Sequence, residues 1–187
     1  MRITGGKLKG RRLASPKGLH IRPTTDKVRE SVFNIIGHDL AGLRVIDLFA
    51  GTGSLGLEAL SRGAFSVTFI DYSGQAIQLI KKNLLLCGQQ TSGIIIKKDL
   101  RNGLPRRYPI MKEKFDLVFL DPPYRKGFAP FLLQELSTRR IFLSESRVVF
   151  ETSKNEVLPV SYENLEILDT RLYGDTKISI YVYEANE

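Results

Sequence analysis

Apolar residues in this chain fall into short dense runs that alternate with stretches of helical spacing. Leu43 to Phe49, Ser66 to Asp71, Gly93 to Lys97 and Phe115 to Asp121 are rich in Val, Ile, Leu and Phe. That composition and length fit strands buried on both faces. Ser54 to Arg62, Ser73 to Cys87 (with Ala76, Ile77, Ile80 and Leu84 on one face) and Phe128 to Leu136 read as the helices between them. Ahead of these, Val28, Val32, Ile35 and Ile36 mark a helix ending near Gly37; Pro23 and Thr24 or Thr25 would open it, with Asp26 in its first turn. Arg147 to Glu151 reads as a strand, and Leu165 to Leu172 with Lys177 to Tyr183 as a closing strand pair. Alternating β and α elements predict an α/β fold, Rossmann-like, with a mostly parallel sheet and helices on both faces. Residues 101 to 114, with two prolines, read as a loop. Residues 1 to 22 read as short extended pieces broken by Gly5-Gly6, Gly10 and Pro16, a small hairpin or arm. We expect one domain over 1 to 187, with an arm at 1 to 22 and a catalytic core at 23 to 187.

Charge changes this picture more than composition does. The chain has 187 residues, of which 42% are hydrophobic and 26% charged, an ordinary balance for a globular domain. No apolar run approaches the ~20 residues of a membrane span, and no secretory signal is legible. One cysteine, Cys87, precludes an internal disulfide and suits a reducing cytoplasm as a buried apolar side chain. Net charge is +8, and residues 1 to 29 hold nine Lys or Arg against one acid, so the remaining 19 basic and 19 acidic residues cancel. A short basic arm on a neutral body points to a polyanion, with Lys7, Lys9, Arg11, Arg12, Arg22 and Arg29 as its contacts. The competing expectation is a solvated tail.

Gly51-Thr52-Gly53-Ser54-Leu55-Gly56 lies between a strand and a helix, with Asp71 about twenty residues on. By motif alone this is a dinucleotide fingerprint, and a dehydrogenase is one reading. Asp47, four residues before Gly51, argues otherwise: a carboxylate there would repel a pyrophosphate. S-adenosylmethionine carries a sulfonium and an ammonium and no phosphate, so the same carboxylate can orient the loop or face positive charge. Asp71 and Asp99 end successive strands, suited to ribose hydroxyls and to an adenine amino group. Phe49, Thr52, Ser54, Tyr72 and Leu100 flank these positions and complete the candidate cofactor set.

Asp121-Pro122-Pro123-Tyr124 follows the strand from Phe115. A nucleobase amino group is a poor nucleophile because its lone pair is delocalised into the ring. Two acceptors on its N–H groups, the Asp121 carboxylate and a backbone carbonyl at Pro122, would draw it toward tetrahedral geometry. The prolines stiffen the turn. The Tyr124 ring offers a stacking surface for a flipped base. Arg125 and Lys126 are placed for phosphate contacts. Methyl transfer to a base amino group needs no metal, and His20 and His38 read as surface residues. The alternatives are a DNA adenine-N6 or cytosine-N4 methyltransferase, for which the chain leaves little room for a recognition region, and a non-catalytic RNA-binding protein of the same fold.

Over nearly its whole length the chain resembles the bacterial family of small-subunit (16S) ribosomal RNA guanine-N2 methyltransferases. The resemblance rests on residues 2 to 13, on Arg22 to Phe33, on the glycine motif from Asp47 to Ala64, on Phe115 to Tyr124, and on Tyr173 to Ile178. It implies S-adenosylmethionine as cofactor, a seven-stranded methyltransferase sheet whose last strand is antiparallel, and a single guanine of 16S RNA as substrate, within a small subunit or an assembly particle. Asp71 stands where many relatives have Glu, and residues 101 to 114 follow no pattern of the family.

Overall fold

The computed structural model describes residues 1–16, 26–123, 128–139 and 141–185. Contacts divide the chain into two units, Met1–Lys98 and Asp99–Glu187.

In the first unit, β1 (Arg44–Leu48), β2 (Ser66–Asp71) and β3 (Gly93–Lys97) run parallel in the order β3-β2-β1. The nearly continuous apolar runs of β1 and β2 are buried on both faces, as their sequences predict. Helix α1 (Asp26–Ile36) buries Val28, Val32, Phe33 and Ile36 at helical spacing. Helix α3 (Gly74–Cys87) starts at Ser73, whose hydroxyl accepts from the Ala76 N–H, and stops at Gly88, which is left-handed at φ 64°. Helix α2 (Ser54–Ser61) differs, because all eight of its residues are buried. Its third residue explains one side: a Cβ on Gly56 would stand 2.3 Å from the Phe69 ring and 2.7 Å from Val67, so only glycine lets α2 lie so close to β2.

The N-terminal arm covers the other side of α2. Residues 1 to 13 form a small hairpin, with Arg2 bridged antiparallel to Arg12 and the Ile3 N–H donating to the Arg11 carbonyl at 3.0 Å. Ile3 and Leu13 are buried. Gly5 and Gly6 touch α2 directly: a Cβ on Gly6 would meet the Ser61 carbonyl oxygen at 2.0 Å. The hairpin of the sequence reading is therefore present as part of the core and not as a solvated tail. Pro23, Thr24, Thr25 and Arg22 lie outside the described residues.

In the second unit, β4 (Phe115–Leu120) pairs parallel with β5 (Phe142–Ser153), and β8 (Thr176–Tyr183) runs antiparallel between β5 and β7 (Leu165–Tyr173). The antiparallel last strand agrees with the sequence reading. A two-residue strand, β6 (Ser161–Tyr162), pairs with β7, so the described residues hold eight strands where the resemblance implied seven. Helix α4 (Phe128–Thr138) buries Leu132, Leu133 and Leu136. Strand β5 begins five residues before the expected Arg147. Its first part, Leu143-Ser144-Glu145-Ser146, is polar and contains Glu145 at φ 69°. Ser146 holds that irregular start by donating to the Phe115 carbonyl at 2.8 Å. The Tyr181 hydroxyl donates to the Pro159 carbonyl at 2.7 Å, and burial pushes its pKa up to about 12. The 101–114 loop contains two short 3-10 turns, Leu100–Asn102 and Pro109–Lys112.

Gly56 gives the sharpest test of this packing. Gly56→Ala should destabilise the protein by about 1–3 kcal/mol through overpacking against Phe69. Urea unfolding should show a lower midpoint at unchanged slope; an unaltered midpoint would mean that α2 does not sit this close to the sheet.

Candidate cofactor site

Strand β1 ends in Asp47 and Leu48, and the chain then turns sharply. Phe49 is left-handed at φ 60°, Gly51 at φ 55° and Gly53 at φ 76°. The Gly53 N–H donates to the Ala50 carbonyl at 2.7 Å, closing the turn. Three left-handed residues in five is a conformation only a glycine-rich segment holds at modest cost, and Phe49 is the strained exception. Helix α2 begins directly afterwards.

Gly53 occupies the cap position of α2 and has no side chain to cap with. Asp47 does that work from the strand: its carboxylate accepts from the Gly56 N–H at 3.0 Å. An acid at a helix N-terminus also suits the helix dipole. The group is 2% exposed. Burial, against the Gly56 hydrogen bond and with the nearby Asp71 charge, pushes its pKa up to about 7. Asp71, at the end of β2, divides its oxygens between two backbone donors, the Gly51 N–H at 2.9 Å and the Ser73 N–H at 2.8 Å. A carboxylate has about four acceptor positions, so capacity remains for a ligand hydroxyl. The adjacent Tyr72 is exposed. Thr52 and Ser54 are buried within the turn.

Sequence reasoning missed Asn83. It is completely buried on α3 and donates to the Thr52 carbonyl at 2.9 Å and to the Ala14 carbonyl at 3.0 Å. Its Oδ1 accepts from the Ala14 N–H at 2.7 Å. One amide thus ties the glycine turn to the end of the arm. The available signal was an amide within an otherwise apolar face of Ala76, Ile77, Ile80, Leu84 and Cys87.

Arg29 departs from the expectation drawn from the sequence. Arg29, grouped by sequence with the phosphate-binding cations, has no exposed surface. Its guanidinium donates to the Arg2 carbonyl at 2.6 Å and to Asp26 at 2.7 Å, and pairs with Glu58 at 3.4 Å. It holds the arm to the body. Lys7, Lys9, Arg11 and Arg12 are all exposed on the hairpin.

In the second unit, Asp99 caps the turn of Leu100–Asn102 through the Arg101 N–H at 3.0 Å, and the Arg101 side chain forks onto both of its oxygens. Leu100 is buried. Asp121 leaves β4 half-buried, followed by buried Pro122 and exposed Pro123. Tyr124, Arg125 and Lys126 lie outside the described residues.

The family described as Conserved hypothetical protein 95 matches residues 1–182. This chain belongs to that family. It is 37% identical to the Bacillus subtilis protein YlbH over 183 residues, 97% of this chain and 98% of the relative. It is 30% identical to the ribosomal RNA small subunit methyltransferase D of Escherichia coli over 189 residues, 99% of this chain and 91% of the relative. The solved Escherichia coli protein YhhF superposes with a TM-score of 0.86 at 31% identity, covering 100% of this chain and 99% of that one. The fold is therefore the Rossmann-like methyltransferase fold. No helix among the described residues is long and apolar enough to cross a membrane.

Asp47 gives a pH-dependent test. Its folded pKa of about 7 lies above the ordinary 3.8, so the native state holds the proton more tightly than the unfolded chain. Stability in the absence of ligand should therefore fall as pH rises from about 4 to 7. Asp47→Asn keeps an acceptor for Gly56 and removes the titration. The variant should match the wild type near pH 4 and exceed it by up to roughly 4 kcal/mol at pH 8. Denaturant unfolding at both pH values decides it, and a constant difference across the range would refute the assignment.

Proposed function

We propose that the chain is an S-adenosylmethionine-dependent methyltransferase of ribosomal RNA, and that its acceptor is the exocyclic N2 amino group of one guanine in 16S RNA. The observation that carries the cofactor is the donor set at the glycine turn. Asp71 accepts there from the Gly51 N–H and Asp47 from the Gly56 N–H, and a cationic ligand nearby would favour the ionised form of Asp47. Acids suit a sulfonium and an ammonium and oppose a pyrophosphate. A Cβ on Gly51 would find nothing nearer than 3.8 Å, so its glycine serves backbone conformation and close approach. The substrate class rests on the family and on the exposed cations of the hairpin.

When bound, S-adenosylmethionine supplies a methyl group on a sulfonium as the electrophile. The turn of Gly51 to Ser54 would hold it, with Asp71 accepting from ribose hydroxyls. Asp121 and the Pro122 carbonyl would accept the two N–H groups of the flipped guanine, drawing its lone pair out of the ring. Tyr124 would stack on that base. The guanine nitrogen would take the methyl group in line as the sulfur–methyl bond breaks, the neutral thioether would be the leaving group, and the methylated nitrogen would shed its proton to water without needing a strong base. Positioning and electrostatics supply the acceleration.

Asp121→Ala should lower transfer to under-methylated small subunits by about 10³-fold or more while leaving cofactor affinity measurable by calorimetry. Mapping the labelled methyl group identifies the base; a methyl on adenine or cytosine would sink the guanine assignment, and full activity would sink the role of Asp121. Because residues 1 to 13 carry core positions, truncating the arm cannot test its cations. Replacing Lys7, Lys9, Arg11 and Arg12 together with Gln leaves Ile3 and Leu13 in place. If each contacts one phosphate, the slope of log RNA affinity against log salt should flatten by about 2.8. An unchanged slope would assign those charges to solvent.

A further inference from the structure

The 101–114 loop belongs to no element of the proposed site, yet it is built in a specific way. Its two flanks are fixed to the body of the second unit. The Leu104 N–H donates to the Glu135 carboxylate at 2.8 Å, and Arg139 donates to the Leu104 carbonyl at 3.2 Å. Gly103 is left-handed at φ 75°, and a Cβ there would stand 2.7 Å from the Glu135 carboxylate. Leu104 and Pro105 are buried, and Met111 buries the far flank within the turn of Pro109–Lys112. Between these anchors Arg106, Arg107, Tyr108 and Pro109 are exposed, and the first three carry the charge and the aromatic ring. The Tyr108 carbonyl accepts from the Met111 N–H at 3.0 Å, which ties the spur's tip to its base.

Charge is concentrated here as it is on the arm. Residues 101 to 114 hold five Lys or Arg and one acid, while the rest of Asp99–Glu187 holds eight basic and thirteen acidic residues. Arg101 is engaged by Asp99. Among the described residues, Arg106 and Arg107 enter no ion pair. Two unpaired guanidiniums beside an exposed phenol ring, on a segment whose ends are fixed, present phosphate donors and a stacking face together.

We propose that Arg106, Arg107 and Tyr108 form a second RNA-binding site, which takes a single-stranded segment flanking the methylated guanine. The arginines bind two successive phosphates and Tyr108 stacks on one unpaired base. The spur stands at the entry end of β4, because Phe115 follows the loop directly and Glu135 lies in the last turns of α4. Asp121 is at the opposite end of that six-residue strand, roughly 20 Å away at ~3.3 Å per residue. The site therefore reads RNA well beyond the reacting base and lengthens the footprint that a minimal substrate must have.

This inference rests on the RNA-methylation reading, and one experiment separates the two. Steady-state methylation of under-methylated small ribosomal subunits is measured for the wild type, Arg106→Ala/Arg107→Ala, Tyr108→Ala, Tyr108→Phe and Arg106→Lys/Arg107→Lys. The two Ala variants should each raise KM about fivefold or more with kcat and cofactor affinity unchanged. The arginine pair's loss should also flatten the slope of log kcat/KM against log salt by about 1.4. Tyr108→Phe should retain wild-type KM, and the lysine pair should retain the salt slope. An unchanged KM in either Ala variant, or a Tyr108→Phe variant as impaired as Tyr108→Ala, overturns the second site. A wild type that transfers no methyl group to subunits overturns the RNA-methylation reading itself.

Discussion

Glu58 is the residue on which the first unit depends. It is a carboxylate with no exposed surface in the middle of α2. Arg62, one helical turn on, donates to it at 2.9 Å, and Arg29 of α1 lies at 3.4 Å. The backbone N–H groups of Thr4 and Gly5 and the Thr4 hydroxyl complete its partners at 2.6 to 2.8 Å. A buried carboxylate so paired costs little; remove it and buried Arg62 loses its counter-charge while Arg29 keeps only Asp26, a loss of about 3–5 kcal/mol in comparable cases. Three chain segments, the arm, α1 and α2, converge on one side chain. The Arg62 guanidinium also lies 4.6 Å over the Phe33 ring and donates toward His38, so the same charge network fixes the far end of α1.

From α2 the constraint passes to the glycine turn. Asp47 caps the helix from the strand before it, and Asp71 holds the Gly51 N–H from the strand beside it. Asn83 then binds the Thr52 carbonyl on one side and both backbone groups of Ala14 on the other. Each such hydrogen bond contributes about 1 kcal/mol net, but unsatisfied buried groups cost more, so these contacts act chiefly by excluding other loop conformations. The turn is thus set before any ligand arrives, which lowers the ordering cost of binding. The arm is part of that preorganisation. Its sequence presents cations outward, while its backbone and its Ile3 and Leu13 side chains belong to the packing of the first unit.

What was legible in the sequence follows from what each residue signals locally. Runs such as Ser66–Asp71 and Gly93–Lys97 gave their strand limits correctly, because continuous β-branched residues end where glycine or polar residues begin. The turn from Asp47 to Gly56 was legible because its conformation demands glycine. Arg29 was not legible as a buried residue: its neighbours Lys27 and Glu30 are polar, and only the fold brings Glu58 to it. Asn83 looked like one more polar helix position. The start of β5 was hidden for another reason: the register with β4 jumps from Phe142 to Arg147, and the left-handed Glu145 between them erases alternation. Arg29 and Asn83 were missed because their partners are long-range, which spacing along the chain does not encode.

The positive charge of this protein therefore has two physical roles that a count of +8 merges. Arg29 and Arg62 are spent inside, neutralising Glu58, and their loss would act through stability. Lys7, Lys9, Arg11 and Arg12 stand outside on a hairpin that those buried pairs hold rigid. Rigid cations bind a phosphate chain with less ordering cost than a flexible tail does. Their positions are also fixed, so on the proposed RNA-binding role they would favour one register of the RNA over its neighbours, a selectivity that a tail of equal charge would lack. If the chain methylates one base in a long polyanion, as proposed, it needs that register more than it needs affinity, because every other stretch of the polymer competes for the same charges. Folding the arm onto α2 would supply it, and the backbone of this basic segment is hydrogen-bonded to the rest of the first unit at Arg2, Thr4, Gly5, Leu8 and Ala14.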